Sequence, residues 1–352
     1  MNASSVRPPG IYFGLPEAEY HADSALGSSD IRTLLQSPAD YWWHSAMNPH
    51  RPEDEDTPSK LFGRALHALV LEGKDAFKHK FCAEPDKREH PTALVTVAQI
   101  EAFLAEKEAK PKGKQKKEDL EAAARPLGAL LWTDLMRQAA IDAQDRTQLK
   151  SRMFGDVIMA GGQIASNEEL REAFRNGRPE VSVFWEMDGI RLKARFDYLK
   201  VRQVVDLKSF RNPLAWPVDK VIAGAIANRR YDVQAAHYLL ARARLRDHIG
   251  TGALYGPVPT QSWLDALACE TQFEHWLVFY QAEGAPIVLK RRFKPQTPVI
   301  TSAEADIATA LQSYRDHMER YGTSMWPFVD SLIDPDVDFD MLPRWFQPEL
   351  VA

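Results

Sequence analysis

The stretch from Val181 to Ser209 constrains the fold most, because it encodes three strands in succession. The segment VSVFWEM alternates, IRLKARFDYLK alternates again, and Asp188-Gly189 between them is the strongest short-range signal for a hairpin turn. Ile190, Leu192, Ala194, Phe196 and Tyr198 are expected on one face of the second strand, with Arg191, Lys193, Arg195 and Asp197 on the other. After a short turn, QVVDLK forms a third strand in which Val204, Asp206 and Lys208 share a face. Asp and Lys are poor strand formers, and a charge in a half-buried sheet costs free energy unless something pairs with it. Asp197, Asp206 and Lys208 are therefore either ordinary solvent-face charges or the surroundings of a metal ion.

Around these strands the pattern reads as helical. In GSSDIRTLLQSPADYWW, Ser28, Ser29 and Asp30 are candidate N-caps for a short helix that Pro38 closes. In TPSKLFGRALHALVLEG, Phe62, Ala65, Leu66 and Leu69 recur at helical spacing, Gly73 supplies the stop, and His67 falls on another face in line with Lys60 and Arg64. Residues 120–175 read as helical and Ala-rich. ANRRYDVQAAHYLLARARLRDH reads as one long helix with Tyr231, Gln234 and Tyr238 at i, i+3 and i+7 on one side. HWLVFYQ and IVLKRRF form a second hairpin across AEGAP, and residues 302–320 form a closing helix. The order predicts an α/β core with a mixed sheet.

The formal net charge of −5 over 352 residues argues against a protein that coats nucleic acid indiscriminately, but not against a local basic channel. Lysines cluster from Lys107 to Lys117, in a run whose Pro111 and Gly113 interrupt any helix, and arginines at Arg229, Arg230, Arg242, Arg244 and Arg246. The lysine run reads as a solvated loop, with contact to DNA as the alternative. No secretory leader or membrane-length apolar run is visible, so the expectation is a cytoplasmic protein with no membrane partner. Cys82 and Cys269 stand far apart and suit buried free thiols better than a disulfide or a zinc site. The segment DPDVDFD imitates a calcium loop, but Phe339 occupies the turn-glycine position and Trp345 that of the bidentate Glu, which excludes an EF-hand.

Two carboxylates on neighbouring strands suit Mg²⁺ or Mn²⁺, hard cations that bind phosphates, and a lysine beside them can orient or deprotonate water or stabilise charge on a phosphoryl group. That combination points to metal-assisted phosphodiester hydrolysis. Taken alone, His67 fits a packing role, and Gln234 and Tyr238 fit a helix packing its aromatic face on the sheet.

Asp197 followed by Asp206-Leu207-Lys208 resembles the core motif of PD-(D/E)xK nucleases, GRALHALVLE the histidine-bearing helix of their RecB-like branch, and QAAHY that branch's Q-x-x-x-Y motif. YHADSALGSSDIRTLLQSPADYW, EVSVFWEMDGIRLKARFDYL and the terminal LPRWF resemble the RecE-type exonucleases of phages and prophages, exodeoxyribonuclease VIII. The resemblance runs from about Tyr20 to Phe346, loosely over residues 75–175. It implies a restriction-endonuclease-like core, a mixed central β-sheet flanked by helices, in a single nuclease domain over 1–352. Within it, 1–60 would be an N-terminal extension, 61–175 the His67 helix with a basic loop and helical insertion, 176–325 the core and 326–352 a tail.

The resemblance also implies site roles. His67, Asp197, Asp206 and the Leu207 carbonyl would be metal ligands for Mg²⁺ or Mn²⁺, two ions per site during cleavage, with Asp197, Asp206 and Lys208 catalytic. Gln234, Tyr238, Arg195 and Glu180 would contact DNA or brace the site. The family's second acid, often Glu, is here the shorter Asp206. The iron–sulfur branch of RecB-like nucleases needs four cysteines, and this chain has two. The implied activity is 5′ to 3′ degradation of double-stranded DNA ends by a ring-like homo-oligomer, leaving 3′ tails for a single-strand annealing recombinase. An endonuclease, a single-strand nuclease and a non-catalytic DNA-end-binding protein are the alternatives.

Overall fold

A computed structural model describes residues 6–52, 57–111, 113, 115–285 and 287–328. Its strands, in chain order, are β1 Gly10–Tyr12, β2 Phe81–Ala83, β3 Thr147–Leu149, β4 Arg178–Met187, β5 Ile190–Leu199, β6 Gln203–Phe210, β7 Leu254–Tyr255, β8 Glu274–Gln281 and β9 Val288–Phe293. Seven of them form one mixed sheet in the order β7-β1-β4-β5-β6-β8-β9, flanked by helices. The β4–β5 hairpin turns at Asp188 and Gly189, both at positive φ, as a two-residue turn matching the strand twist requires. The hairpin β8–β9 also forms where the alternation places it.

Both faces of the central strands are covered, so β6 and β8 feed two cores in alternation. Phe196, Val204, Leu277 and Phe279 pack against the helices Tyr231–Gly250 and Pro298–Tyr321. Tyr198, Val205, Leu207, Val278 and Tyr280 pack against Pro58–His67 and Ser151–Ser166. Tyr198 therefore leaves the face on which strict alternation puts it. Phe196 and Leu199 lie in one core and Tyr198 in the other, because the period-two rhythm slips at Asp197.

The charged face of β5 is not solvated either. The N-terminal segment lies over it: Arg191 pairs with Asp23 at 3.0 Å, Lys193 donates to the Tyr20 and Asp23 carbonyls at 3.0 and 2.6 Å, and Arg195 donates to the Leu15 carbonyl at 2.8 Å. Burial of these cations is tolerable because each finds an acceptor.

Several local expectations change. The helix Ser28–Gln36 has Gly27 at its N-cap, and Asp30 reaches back to accept the Gly27 N–H at 2.7 Å, so none of Ser28, Ser29 and Asp30 is the cap. The long helix forms as Tyr231–Gly250 but starts later than read, because Arg230, whose φ and ψ of 48° and 49° are left-handed, separates it from a preceding helix, Val218–Asn228. Residues 84–146 leave the body after β2 and return at β3, its parallel partner, and carry a small core of their own around Ile100, Leu104, Leu120 and Leu131. Cys269 is exposed and Cys82 half-buried, so the thiols are free but not buried. Of the lysine run, Lys112 and Lys114 lie outside the described residues, as do DPDVDFD and LPRWF.

Candidate active site

The site opens where the sheet parts. β5 and β6 pair only at Tyr198↔Val205 and Leu199↔Val204, whereas β6 pairs with β8 along its whole length. Beyond that short ladder β5 diverges, and the Asp197 carboxylate replaces the missing partner by accepting the Leu207 N–H at 2.8 Å. Opposite Asp197, Glu180 is skipped by the β4–β5 register and adopts φ +52°. A left-handed non-glycine residue inside a strand costs about 1–3 kcal/mol. Here the distortion turns Glu180 toward Asp197, and Arg195 holds it there through Glu180 Oε2 at 2.5 Å while donating to Ser182 Oγ at 3.3 Å. Arg195 is thus a brace.

His67 reaches the same opening from the far face of the sheet. It is the last residue of Pro58–His67, after which the chain widens into a π-helical turn, Ala68–Glu72, that Gly73 stops at φ +98°. His67 Nε2 lies 3.2 Å from the Leu207 carbonyl oxygen and 3.5 Å from Asp197 Oδ2, and Nδ1 lies 4.0 Å from Glu180 Oε1. Donor atoms of His67, Glu180 and Asp197 fall within 4.8 Å of one another. Cis ligands of a small octahedral cation, each bonded at about 2.1 Å, sit about 3 Å apart. The His67, Asp197 and Leu207 spacings approach that figure.

Asp206 stands beside this group. It is almost completely buried, its Oδ2 is 2.6 Å from Lys208 Nζ, and its Oδ1 accepts from Gln234 Nε2 at 3.1 Å. Gln234 therefore braces an acid. Tyr238 sets its ring edge-on against Phe196 and His275, at 5.5 and 5.4 Å, and lines the cleft. The sequence-predicted residues thus converge, with Glu180 joining the His67–Asp197 cluster and Asp206 paired to the lysine.

The electrostatics call for a cation. Burial, and then the nearby Asp206 charge, push the Asp197 carboxyl up to about 7. At His67, burial disfavours the imidazolium, but Asp197, Glu180 and Asp206 outweigh it and hold its pKa above the usual value. At Lys208, burial again opposes charge and the Asp206 and Asp197 carboxylates overcome it, so its pKa is raised and the side chain is an ammonium. With Glu180 paired to Arg195 and Asp206 to Lys208, Asp197 is left facing His67 and the Leu207 carbonyl, and carboxylate, carbonyl and imidazole donors suit Mg²⁺ or Mn²⁺. The residues present fit such an ion.

His67, Asp197, Asp206, Leu207 and Lys208 line a cleft of about 580 Å³. Its other lining, which sequence reasoning did not assign to the site, includes Ser28, Ser29, Arg32 and Thr33 from the helix Ser28–Gln36, with Arg229 and Tyr231. Arg32 Nη1 donates to the Arg229 carbonyl at 2.7 Å, tying that helix to the break before Tyr231. The signals were the SSDIR segment and the paired arginines Arg229-Arg230. Of the remaining arginine cluster, Arg242 is buried on the Val201 and Leu267 carbonyls and so offers no surface charge, while the exposed Arg246 donates to the Ala268 carbonyl.

The parted sheet carries the His67–Glu180–Asp197 cluster and the Asp206–Lys208 pair on a mixed α/β core. A family profile described as "PDDEXK-like domain of unknown function (DUF3799)" matches residues 27–249, and the chain belongs to that family. No curated protein matches it. Among solved structures it is similar to one titled "Putative exonuclease" from Eubacterium rectale, with 14% identity, a TM-score of 0.46, and 86% of this chain and 88% of that chain covered. No described helix is long and apolar enough to cross a membrane.

Proposed function

We propose that this chain is a Mg²⁺- or Mn²⁺-dependent exodeoxyribonuclease of the RecE type, degrading linear double-stranded DNA from 5′ to 3′ and leaving 3′ single-stranded tails. The observation that carries the nuclease reading is the convergence of His67 Nε2, the Asp197 carboxylate and the Leu207 carbonyl beside the Asp206–Lys208 ion pair. Polarity and end preference follow from the likeness of the quoted motifs to RecE-type enzymes. His67, Asp197, Glu180 and the Leu207 carbonyl would hold the cation at this site, with Asp206 next to them. When bound, it supplies Lewis-acid polarisation of the phosphoryl group and neutralises its charge. Lys208, fixed as an ammonium, donates hydrogen bonds where negative charge grows on the phosphoryl oxygens. Gln234 holds Asp206 in the rotamer that keeps Lys208 in place, and Arg195 does the same for Glu180.

The test uses linear duplex labelled at one end or the other and closed circular duplex, with Mg²⁺ and with EDTA. The proposal expects label release from the 5′ end of linear DNA only, and none with EDTA; equal cutting of circles would make the protein an endonuclease. The reading includes a ring-like homo-oligomer that encloses its substrate and hands its product to a single-strand annealing recombinase. Light scattering that gives a monomer at working concentration would overturn the ring.

His67→Ala should lower activity at limiting Mg²⁺ by about 10- to 100-fold and recover part of it with raised Mn²⁺, since losing one ligand weakens affinity more than it alters chemistry. Metal titrations of cleavage rate check this, and an unchanged Mg²⁺ dependence would return His67 to a packing role.

A further inference from the structure

We propose that Tyr231 is a positioning residue for the Lys208 ammonium, and that the left-handed corner at Arg230 is the device that aims it. The inference rests on the nuclease reading and adds a residue to its machinery. Lys208 ends in a flexible four-carbon stem, and Asp206 holds the ammonium from one side only, at 2.6 Å. On another side Lys208 Nζ faces the Tyr231 ring, 5.5 Å from its centroid, within cation–π range. That ring is itself immobilised: Tyr231 is 5% exposed and packs against Phe279 at 6.0 Å between centroids. Carboxylate and ring flank the ammonium beside the cleft that Tyr231, Asp206 and Lys208 all line.

Tyr231 reaches this place because the helix ends and restarts one residue before it. Had Val218–Asn228 continued unbroken, no new helix axis would begin at Tyr231, and the Asp206–Lys208 pair would not lie under the first turn of Tyr231–Gly250, which supplies both Tyr231 and Gln234. Arg230 makes the break in a conformation usually left to glycine or asparagine. Its guanidinium locks the corner by pairing with Asp232 at 3.0 Å and with Asp306 of the Pro298–Tyr321 helix, while Arg32 pins the neighbouring Arg229 carbonyl. A strained residue held by ion pairs from two helices beside a catalytic cleft is where function stores strain.

The test is a kinetic series on the full chain with linear duplex DNA and Mn²⁺. Tyr231→Phe keeps the ring face and should hold kcat within about twofold of wild type. Tyr231→Leu should lower kcat about tenfold or more with KM for DNA and Mn²⁺ affinity unchanged, the signature of a misplaced group rather than lost binding. Asp306→Asn, in a partly exposed position that does not threaten folding, should lower kcat in the same direction by a few-fold. It should add nothing on the Tyr231→Leu background, because both act through one placement. Wild-type kcat in Tyr231→Leu, or equal losses in Phe and Leu variants, would overturn the clamp. If Tyr231→Leu does not fold, an unchanged kcat in Asp306→Asn overturns the Arg230 device. Lys208→Ala cutting at the wild-type rate would instead bring down the nuclease reading itself.

Discussion

Lys208→Ala should lower single-turnover DNA cleavage by at least about 10²–10³-fold, the loss typical of removing one preorganised donor to developing charge, while leaving Mn²⁺ bound. Lys208 Nζ sits 2.6 Å from Asp206 and lines the cleft, and no metal-donor atom belongs to it. Asp206→Ala should be as damaging by a different route. It removes the acid that holds Lys208, leaves Gln234 Nε2 without its acceptor in a buried setting, and takes a charge from the metal's surroundings. Calorimetric titration with Mn²⁺ should therefore show weakened binding in Asp206→Ala and near-wild-type binding in Lys208→Ala. A Lys208→Ala variant that cleaves near the wild-type rate would refute the assignment of the site.

The second large effect concerns Asp197 and pH. Its folded-state pKa is raised to about 7 from an ordinary value near 4, so the folded protein holds a proton there that the unfolded chain has released. By linkage, the stability this group supports is present below about pH 4 and is lost as pH rises through the window from about 4 to 7. His67, whose pKa is also raised, contributes stability that likewise falls as pH rises. Asp197→Asn keeps an oxygen acceptor for the Leu207 N–H but cannot ionise. Without metal, wild type should lose stability relative to Asp197→Asn as pH rises from 5 to 8, by a few kcal/mol at most. Divalent metal should restore wild type at pH 8 and do much less for Asp197→Asn, whose cleavage should fall by at least about 10²-fold. Thermal melts of both proteins across pH, with EDTA and with Mg²⁺, check this. A stability difference that does not change with pH would contradict it.

Much of this centre was legible in residues 181–209, because a hairpin turn, alternation and three misplaced charges have short-range signatures. The face of β6 followed from period two, so Asp206 and Lys208 lie together as read. What alternation could not reveal is where it fails. The left-handed Glu180 lies where β5 and β6 stop pairing while the β4–β5 register stays unshifted, a tertiary feature with no local pattern. Tyr198 packs in the second core, and Glu180, whose residue type fits a strand end, joins His67 and Asp197. The break at Arg230 was hidden because arginine is a good helix former and the left-handed corner is held by Asp306, 76 residues away. Arg191, Lys193 and Arg195 read as a polar face and turned out to be anchors for the N-terminal segment, since Lys193 and Arg195 donate to carbonyls of residues 15–23 and Arg191 donates to the Arg7 carbonyl and the Asp23 carboxylate. Arg32 and Ser28 were quoted for their likeness to a motif, but their place in the cleft is set by packing of the helix Ser28–Gln36 near the Tyr231 corner.

The central claim is that His67, Asp197 and the Leu207 carbonyl gather one divalent cation beside Lys208. Anomalous diffraction from a crystal grown with Mn²⁺ measures this directly. The account predicts a peak at about 2.0–2.3 Å from His67 Nε2, an Asp197 oxygen and the Leu207 carbonyl oxygen, with a carboxylate of Glu180 or Asp206 next to it. Crystals of protein that cleaves DNA with Mn²⁺ but shows no peak within bonding distance of His67 and Asp197 would contradict it.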